Sequence, residues 1–199
     1  AATVIPKLVP PSPTTGSRSS GSSSPSVRSS ANVGAGGAVS QSVIAQEAKE
    51  ALGGAGIAEP LRVQNGSSID ADTLKALAKQ GAQAGKTLRI HADTLNTDGS
   101  VQGRIYLTPG QLTGRTEPLQ LGVHTDSSHT AATASLFDRY FSNHTAVVSM
   151  GHQGGLGARM EIAAKVDLDG LNVKSLVFYS YNPDTNTYSR IAAPAYRVD

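Results

Sequence analysis

Leu176-Val-Phe-Tyr-Ser-Tyr181, Asn182-Pro-Asp-Thr-Asn186 and Thr187-Tyr-Ser-Arg-Ile191 follow one another near the end of the chain. Two runs rich in aromatic and β-branched residues flank a cluster of turn formers, which predicts a β-hairpin. With Pro183 to Asn186 as a four-residue loop, Phe178 falls opposite Ile191, Tyr181 opposite Tyr188, and Tyr179 opposite Arg190. That register puts Leu176, Phe178 and Ile191 on an apolar side suited to a core, and Tyr179, Tyr181, Tyr188 and Arg190 on the other. The hairpin points to a β-rich domain of extracellular type, and no catalytic or cofactor motif stands beside it.

Upstream of the hairpin, Asp167 to Asn172 reads as a turn, and Ala158 to Val166 alternates in part through Met160, Ile162, Ala164 and Val166. Gly151 to Gly157 is a flexible connection and Thr145 to Met150 is strand-like. Leu136, Phe137, Tyr140 and Phe141 give a helix ending near Phe141 an apolar stripe, with Ser127 or Ser128 as its cap. Leu119, Leu121 and Val123 predict a strand. Thr87 to Asp93 sets Leu88, Ile90 and Ala92 against Arg89, His91 and Asp93. Asn96 to Gly99 then turns the chain, and Val101, Gly103, Ile105 and Leu107 alternate back as a second hairpin. Pro60 opens a strand at Leu61 to Gln64, Asn65-Gly66 is a turn, and Asp70 caps a helix over Ala71 to Gln80 that Gly81 stops.

Before Pro60 the character changes. Ser42 to Leu52 has apolar residues at helical spacing and Gly53-Gly54 at its end, predicting a short amphipathic helix that either caps the domain or frays. Pro10 to Ser40 is dominated by Ser, Gly, Pro and Thr and buries too little apolar area to offset chain entropy. Thr3 to Val9 is an extended apolar segment interrupted by Pro6. The organisation expected is a disordered tether over 1–40, a short helix with a Gly-rich linker over 41–59, and a β-rich surface domain over 60–199. Seven or eight strands without βαβ regularity predict a mainly β fold, an antiparallel sandwich-like domain with two short appended helices.

Charge narrows the partners. The first forty residues carry Lys7, Arg18 and Arg28 and no acidic residue, while the other 14 basic and 15 acidic side chains leave the rest at −1. The folded part therefore lacks the basic stripe that nucleic-acid binding requires. There is no Cys among the 199 residues, so neither a disulfide framework nor a thiolate metal site is available. No apolar run reaches the roughly 20 residues that span a bilayer. The opening Ala-Ala-Thr and the ending at Asp199 read as a mature or excised piece of something longer.

Ala163-Ala-Lys-Val-Asp-Leu168, Leu176 to Tyr181, Asn186-Thr-Tyr188 and Pro194-Ala-Tyr-Arg-Val-Asp199 resemble the closing segment of a module of exported surface proteins from gut-type Gram-positive anaerobes (Firmicutes). Lys86-Thr-Leu-Arg-Ile90, Gly103-Arg-Ile-Tyr-Leu107 and Tyr140-Phe-Ser-Asn143 fit the same resemblance, which covers Pro60 to Asp199. It implies a secreted or cell-surface location and a β-rich architecture. It carries over no catalytic residue.

Several stretches invite a site. Gly151-His-Gln-Gly-Gly-Leu-Gly157 has the glycines of a phosphate loop but neither the Lys-Ser/Thr ending nor a following helix. His124, Asp126 and His129 are candidates for a metal, yet their spacing matches no zinc pattern and an exposed turn is the simpler reading. Asn182, Asp184 and Asn186 begin like a calcium loop, but Thr187 and Ala193 stand where Gly and Glu are required. Asp167-Leu-Asp169-Gly170 fails the same pattern. Tyr179, Tyr181 and Tyr188 beside Arg190 form the candidate binding face, a platform on which sugar rings stack; the competing reading is that these rings cover a second layer of the sandwich.

No nucleophile elbow, Cys/His pair or His-Glu-x-x-His is present. The expectation is a non-enzymatic secreted or cell-surface module for adhesion, spacing or polysaccharide contact, with no cofactor and no metal. Its expected partner is a polysaccharide or cell-wall component, with no nucleic acid and no membrane span. The alternatives are an extracellular hydrolase domain acting on glycans or wall peptides, and a self-assembling subunit in which Thr3 to Val9 adds a strand to a neighbour.

Overall fold

A computed structural model describes residues 37–141, 145–152, 154–158, 160–167, 177–182 and 185–191. Along the chain come α1 (Gln41–Gly53), β1 (Leu61–Gln64), β2 (Ser68–Ile69), α2 (Ala71–Gln83), β3 (Ile90–Leu95), β4 (Val101–Leu107) and a 3-10 turn at Pro109–Gln111. They are followed by β5 (Leu119–Gln120), β6 (Val123–His124), α3 (Ser127–Phe141), β7 (Ser149–Met150), β8 (Glu161–Ala164), β9 (Tyr179–Asn182) and β10 (Thr187–Arg190). The ten described strands lie in mostly antiparallel sheets, joined by three helices. The tether expected at 1–40 falls outside the described residues except for its last four.

The centre of the molecule is a four-stranded sheet in the order β1-β3-β4-β8. The second predicted hairpin supplies its middle. β3 and β4 pair antiparallel from Ile90↔Leu107 to Leu95↔Val101, with a bulge at Thr94/Leu95. Asn96 and Gly99 close the turn, Gly99 at φ 81, and Asp98 accepts the Ser100 amide at 2.9 Å. Three further ribbons, β2–β5, β6–β7 and β9–β10, are two-stranded.

The pairing of β1 with β3 departs from the antiparallel expectation. β1 runs parallel to β3, Leu61 beside Ile90 and Val63 beside Ala92, and α2 makes the crossover between them. β1, α2 and β3 therefore form a βαβ unit. Asn65, at φ 51, turns the chain out of β1, and its side-chain oxygen accepts the Leu95 amide at 2.8 Å where the bulge has freed it. The helix α2 is not an appendage: Leu74 and Leu77 are fully buried. Gly81 does not stop it. The helix continues to Gln83 and gives way at Gly85, φ 63. Gly81 is small because the returning chain passes over it; a Cβ there would lie 2.9 Å from the Lys86 carbonyl oxygen.

Strand alternation gives the sheet two unlike faces. Leu61, Val63, Ile90, Ala92, Ile105 and Ile162 belong to the buried apolar cluster, together with Leu74 and Leu77 of α2 and Val123 of β6. Val39, Ile44 and Ala48 join the same cluster, so α1 is docked, packed against α2 and β1. Lys86 fixes its end by donating from Nζ to the carbonyl oxygens of Leu52, at 2.8 Å, and Gly54. These are the last carbonyls of a helix, which have no partner within it.

β6 crosses the buried face at close range. Val123 donates its amide to Thr94 Oγ1 at 2.9 Å, and a Cβ on Gly103 would meet Val123 Cβ at 2.5 Å. The lack of a side chain at Gly103 thus lets β6 approach β4.

The β9–β10 hairpin forms with the predicted register, Tyr181↔Tyr188 and Arg190↔Tyr179, and Ile191 donates to the Phe178 carbonyl at 2.8 Å. It is not the organising element. Phe178 and Ile191 are half-buried, and among the described residues the buried cluster takes no member from this hairpin. Leu176 lies outside the described residues.

Candidate functional site

Two surfaces gather chemistry. The first is the tyrosine face. Alternation puts Tyr179, Tyr181, Tyr188 and Arg190 on one side of the β9–β10 ribbon, as the sequence predicted. Phe137 of α3 meets this side edge-on, its ring centre 5.2 Å from that of Tyr181 and 6.3 Å from that of Tyr188. Tyr179 and Tyr188 are themselves in a T-shaped contact at 5.9 Å. Tyr179 and Tyr181 are half-buried, whereas Tyr188 is 60% exposed and Arg190 is exposed beside it. The Tyr181 hydroxyl donates to Asn186 Oδ1 at 3.1 Å, tying the ring to the loop. Both features of the face coexist: Tyr181 and Tyr188 meet α3 through Phe137, and Tyr188, braced also by Tyr179, still keeps most of its surface in solvent.

In the loop between these strands, Asn182 and Asn186 use their side-chain oxygens internally. Asn182 Oδ1 accepts the Thr185 amide at 3.4 Å, and Asn186, at φ 49, takes the Tyr181 hydroxyl. Pro183 and Asp184, like Asp169 and Gly170, lie outside the described residues.

The glycine loop is tied down by Arg115. Its guanidinium donates to the carbonyl oxygens of Leu156 at 2.8 Å and Gly155 at 3.3 Å, and to those of Glu117 and Pro118 on its own side. A phosphate loop turns amide N–H groups inward; here carbonyls face a cation. Gly151 is required on packing grounds, since a Cβ would lie 2.6 Å from the Leu121 carbonyl oxygen.

His124 Nδ1 lies 3.8 Å from Asp126 Oδ2. Asp126 is otherwise occupied. One oxygen accepts the Ser128 amide at 3.1 Å and the other accepts Gln102 Nε2 at 3.0 Å, so the cap of α3 is Asp126 rather than Ser127 or Ser128. The side chain of His129 lies outside the described part.

The second surface is the polar face of the central sheet. In register across its strands stand Arg62, His91, Tyr106 and Glu161, and beside them Gln64, Asp93 and Arg104. Arg104 grips Asp93 with two parallel hydrogen bonds, Nη2 to Oδ2 at 2.8 Å and Nε to Oδ1. Asp93 is only 4% exposed. The guanidinium carbon also sits 5.9 Å from the Tyr106 ring centre, and His91 meets that ring edge-on at 4.9 Å. The plate is built from fixed groups: Asp93 orients Arg104, Arg104 lies against Tyr106, and Tyr106 braces His91.

No family model, curated protein or solved structure matches this chain. What either surface does has to be read from its own chemistry.

The His91 ring is held below its ordinary pKa of 6.5, first by burial and then by the positive charges of Arg104 and Arg62, with Asp93 opposing and Arg89 adding to the effect. Its Nδ1 is buried and has no hydrogen-bond partner among the described residues. The sign of the linkage follows. Below pH 6.5 the unfolded chain takes up a proton that the folded His91 resists, so stability is fully present above 6.5 and falls as pH drops toward the lowered value. Urea denaturation at about pH 7 and about pH 5 measures this. We expect His91→Gln to lose less stability than the wild type over that interval, and equal losses would assign the acid sensitivity to another group.

Alternation in Thr87 to Asp93 already separated Arg89, His91 and Asp93 from the apolar positions. The neighbours that make them a plate come from β1, β4 and β8, and only the strand order brings these together.

Proposed function

We propose that this chain is a non-enzymatic secreted or cell-surface module that contacts a polysaccharide through the tyrosine face of its last hairpin. One observation carries the reading: Tyr188 is 60% exposed although Tyr179 and Phe137 fix its ring. A rigid exposed aromatic ring stacks on a sugar face at little entropic cost, and the hydroxyls and the adjacent Arg190 supply hydrogen bonds. In the same reading the domain is sandwich-like, with the ribbons β2–β5 and β6–β7 forming, with the helices, the layer that faces the central sheet. The extracellular setting belongs to the same proposal and follows the expectation drawn from the sequence.

A glycan array of wall polysaccharides, mucin and plant glycans, followed by calorimetry on any hit, tests this. Tyr188→Ala is expected to weaken binding at least about tenfold while leaving the melting temperature within a few degrees, because the ring is mostly in solvent. Binding that survives Tyr188→Ala unchanged, or no binding to any glycan, overturns the assignment.

A further inference from the structure

We propose that the polar face of the central sheet, centred on His91 and Tyr106 and flanked by Arg62 and Arg89, is a second binding site, specific for a sugar ring that bears a carboxylate. This rests on the reading of the chain as a glycan-contact module and names a different surface and a different ligand chemistry.

Among the described residues, α1, α2 and β6 contribute to the apolar cluster of the sheet's other face. On the polar face, Arg62, His91, Tyr106 and Glu161 stand side by side across all four strands. At the usual strand spacing that row is roughly 14 Å long, so one sugar ring and its substituents reach both ends. Charge is distributed unevenly along it. Arg104 is committed to Asp93, whereas Arg62 and Arg89 are exposed and have no ion-pair partner among the described residues. The available cations therefore sit at the β1 and β3 side, and an exposed carboxylate, Glu161, sits at the β8 side.

This polarity selects the ligand. A polyanion lying along the row would run from Arg62 into the carboxylate of Glu161, so the face does not offer the continuous cation track that a phosphate backbone needs. A ligand with one carboxylate at one end and hydroxyls at the other matches both ends. Arginine is suited to planar carboxylates because its donors form a fork, and Glu161 accepts from hydroxyls. Between them the Tyr106 ring, held by Arg104 and His91, offers an aromatic surface.

The test is a titration of the full isotope-labelled chain with an oligomer of glucuronic acid and, separately, with the glucose oligomer of the same length, read by amide chemical shifts. The glucuronate oligomer is expected to shift the amides of Arg62, His91 and Tyr106 in a saturable way, and the neutral oligomer to leave them in place. An Arg62→Gln, Arg89→Gln double variant, which changes only exposed side chains, is expected to weaken that binding at least about tenfold with an unchanged melting temperature. Lack of saturable shifts at these amides, equal shifts with the glucose oligomer, or undiminished binding by the folded double variant overturns the proposal. Tyr188→Ala separates the two surfaces. Glucuronate binding that persists in Tyr188→Ala supports a site distinct from the hairpin, and its loss there returns the ligand to the tyrosine face and overturns the second site.

Discussion

Gly103→Ala is expected to destabilise the domain by about 3 kcal/mol, at the upper end of what overpacking a tight contact costs. A Cβ at this position would lie 2.5 Å from Val123 Cβ and 2.8 Å from the Val123 carbonyl oxygen. The second contact is backbone, so no rotamer change relieves it. Val123 has little room to retreat, because its amide is bonded to Thr94 Oγ1 and its strand to β7. Separating the layers by enough to admit a methyl group would break that buried hydrogen bond. For a domain of this size the melting temperature is expected to fall by about 10 °C. Gly110→Ala is the control, since nothing lies within 4 Å of a Cβ there. Differential scanning calorimetry on both variants decides the matter: a Gly103→Ala protein as stable as Gly110→Ala would mean that β6 does not press on β4.

Arg104→Met is expected to cost a similar amount, about 3 kcal/mol, for a different reason. It leaves the Asp93 carboxylate, whose side chain is 2% exposed, without its counter-ion. Removing one partner of a buried ion pair costs about 3–5 kcal/mol when both are fully enclosed. The lower figure applies because the Arg104 side chain keeps 22% of its surface in solvent. Replacing both, as Asp93→Leu with Arg104→Met, is expected to be less damaging than Arg104→Met alone, because no charge is then left stranded. A double-mutant cycle by urea denaturation gives the coupling directly. Additive single effects would show that the two groups do not depend on each other.

Much of the local structure was legible in the sequence. The hairpin at Tyr179 to Arg190 has the predicted pairing residue by residue, because the turn cluster and the alternating aromatics are all in one short stretch. The β3–β4 hairpin and the three helices follow from equally local signals. What was not legible is which element the others are built on. The tyrosine hairpin is the strongest β signal in the sequence, but signal strength measures local propensity, while centrality depends on burial against distant residues. β1 has four residues and finds its partner across a helix, and the two-residue strands β2, β5, β6 and β7 are too short to leave a period. Docking of α1 depends in part on Lys86 reaching back to Leu52 and Gly54, a contact no spacing rule encodes.

The candidate sites divide in the same way. The tyrosine face needed only one ribbon and was visible. The plate around His91 needed the strand order, since Arg62, Tyr106 and Glu161 become its neighbours through three separate pairings. The role of Arg115 was hidden too, because its partners are backbone carbonyls, which every sequence has.

The order of the central sheet also has a reading in time. β1, β3 and β4 all lie between Leu61 and Leu107, with β2 and α2 in the crossover, so three of the four strands close within that stretch. β8 comes only after the long passage from Thr108 to Met160. Chain entropy makes contacts within the first group faster to form than those that close the longer loop. The nascent sheet is therefore a three-stranded nucleus whose β4 edge waits unpaired for Glu161–Ala164, and that interval is when a second unfolding or newly made chain competes for the same edge.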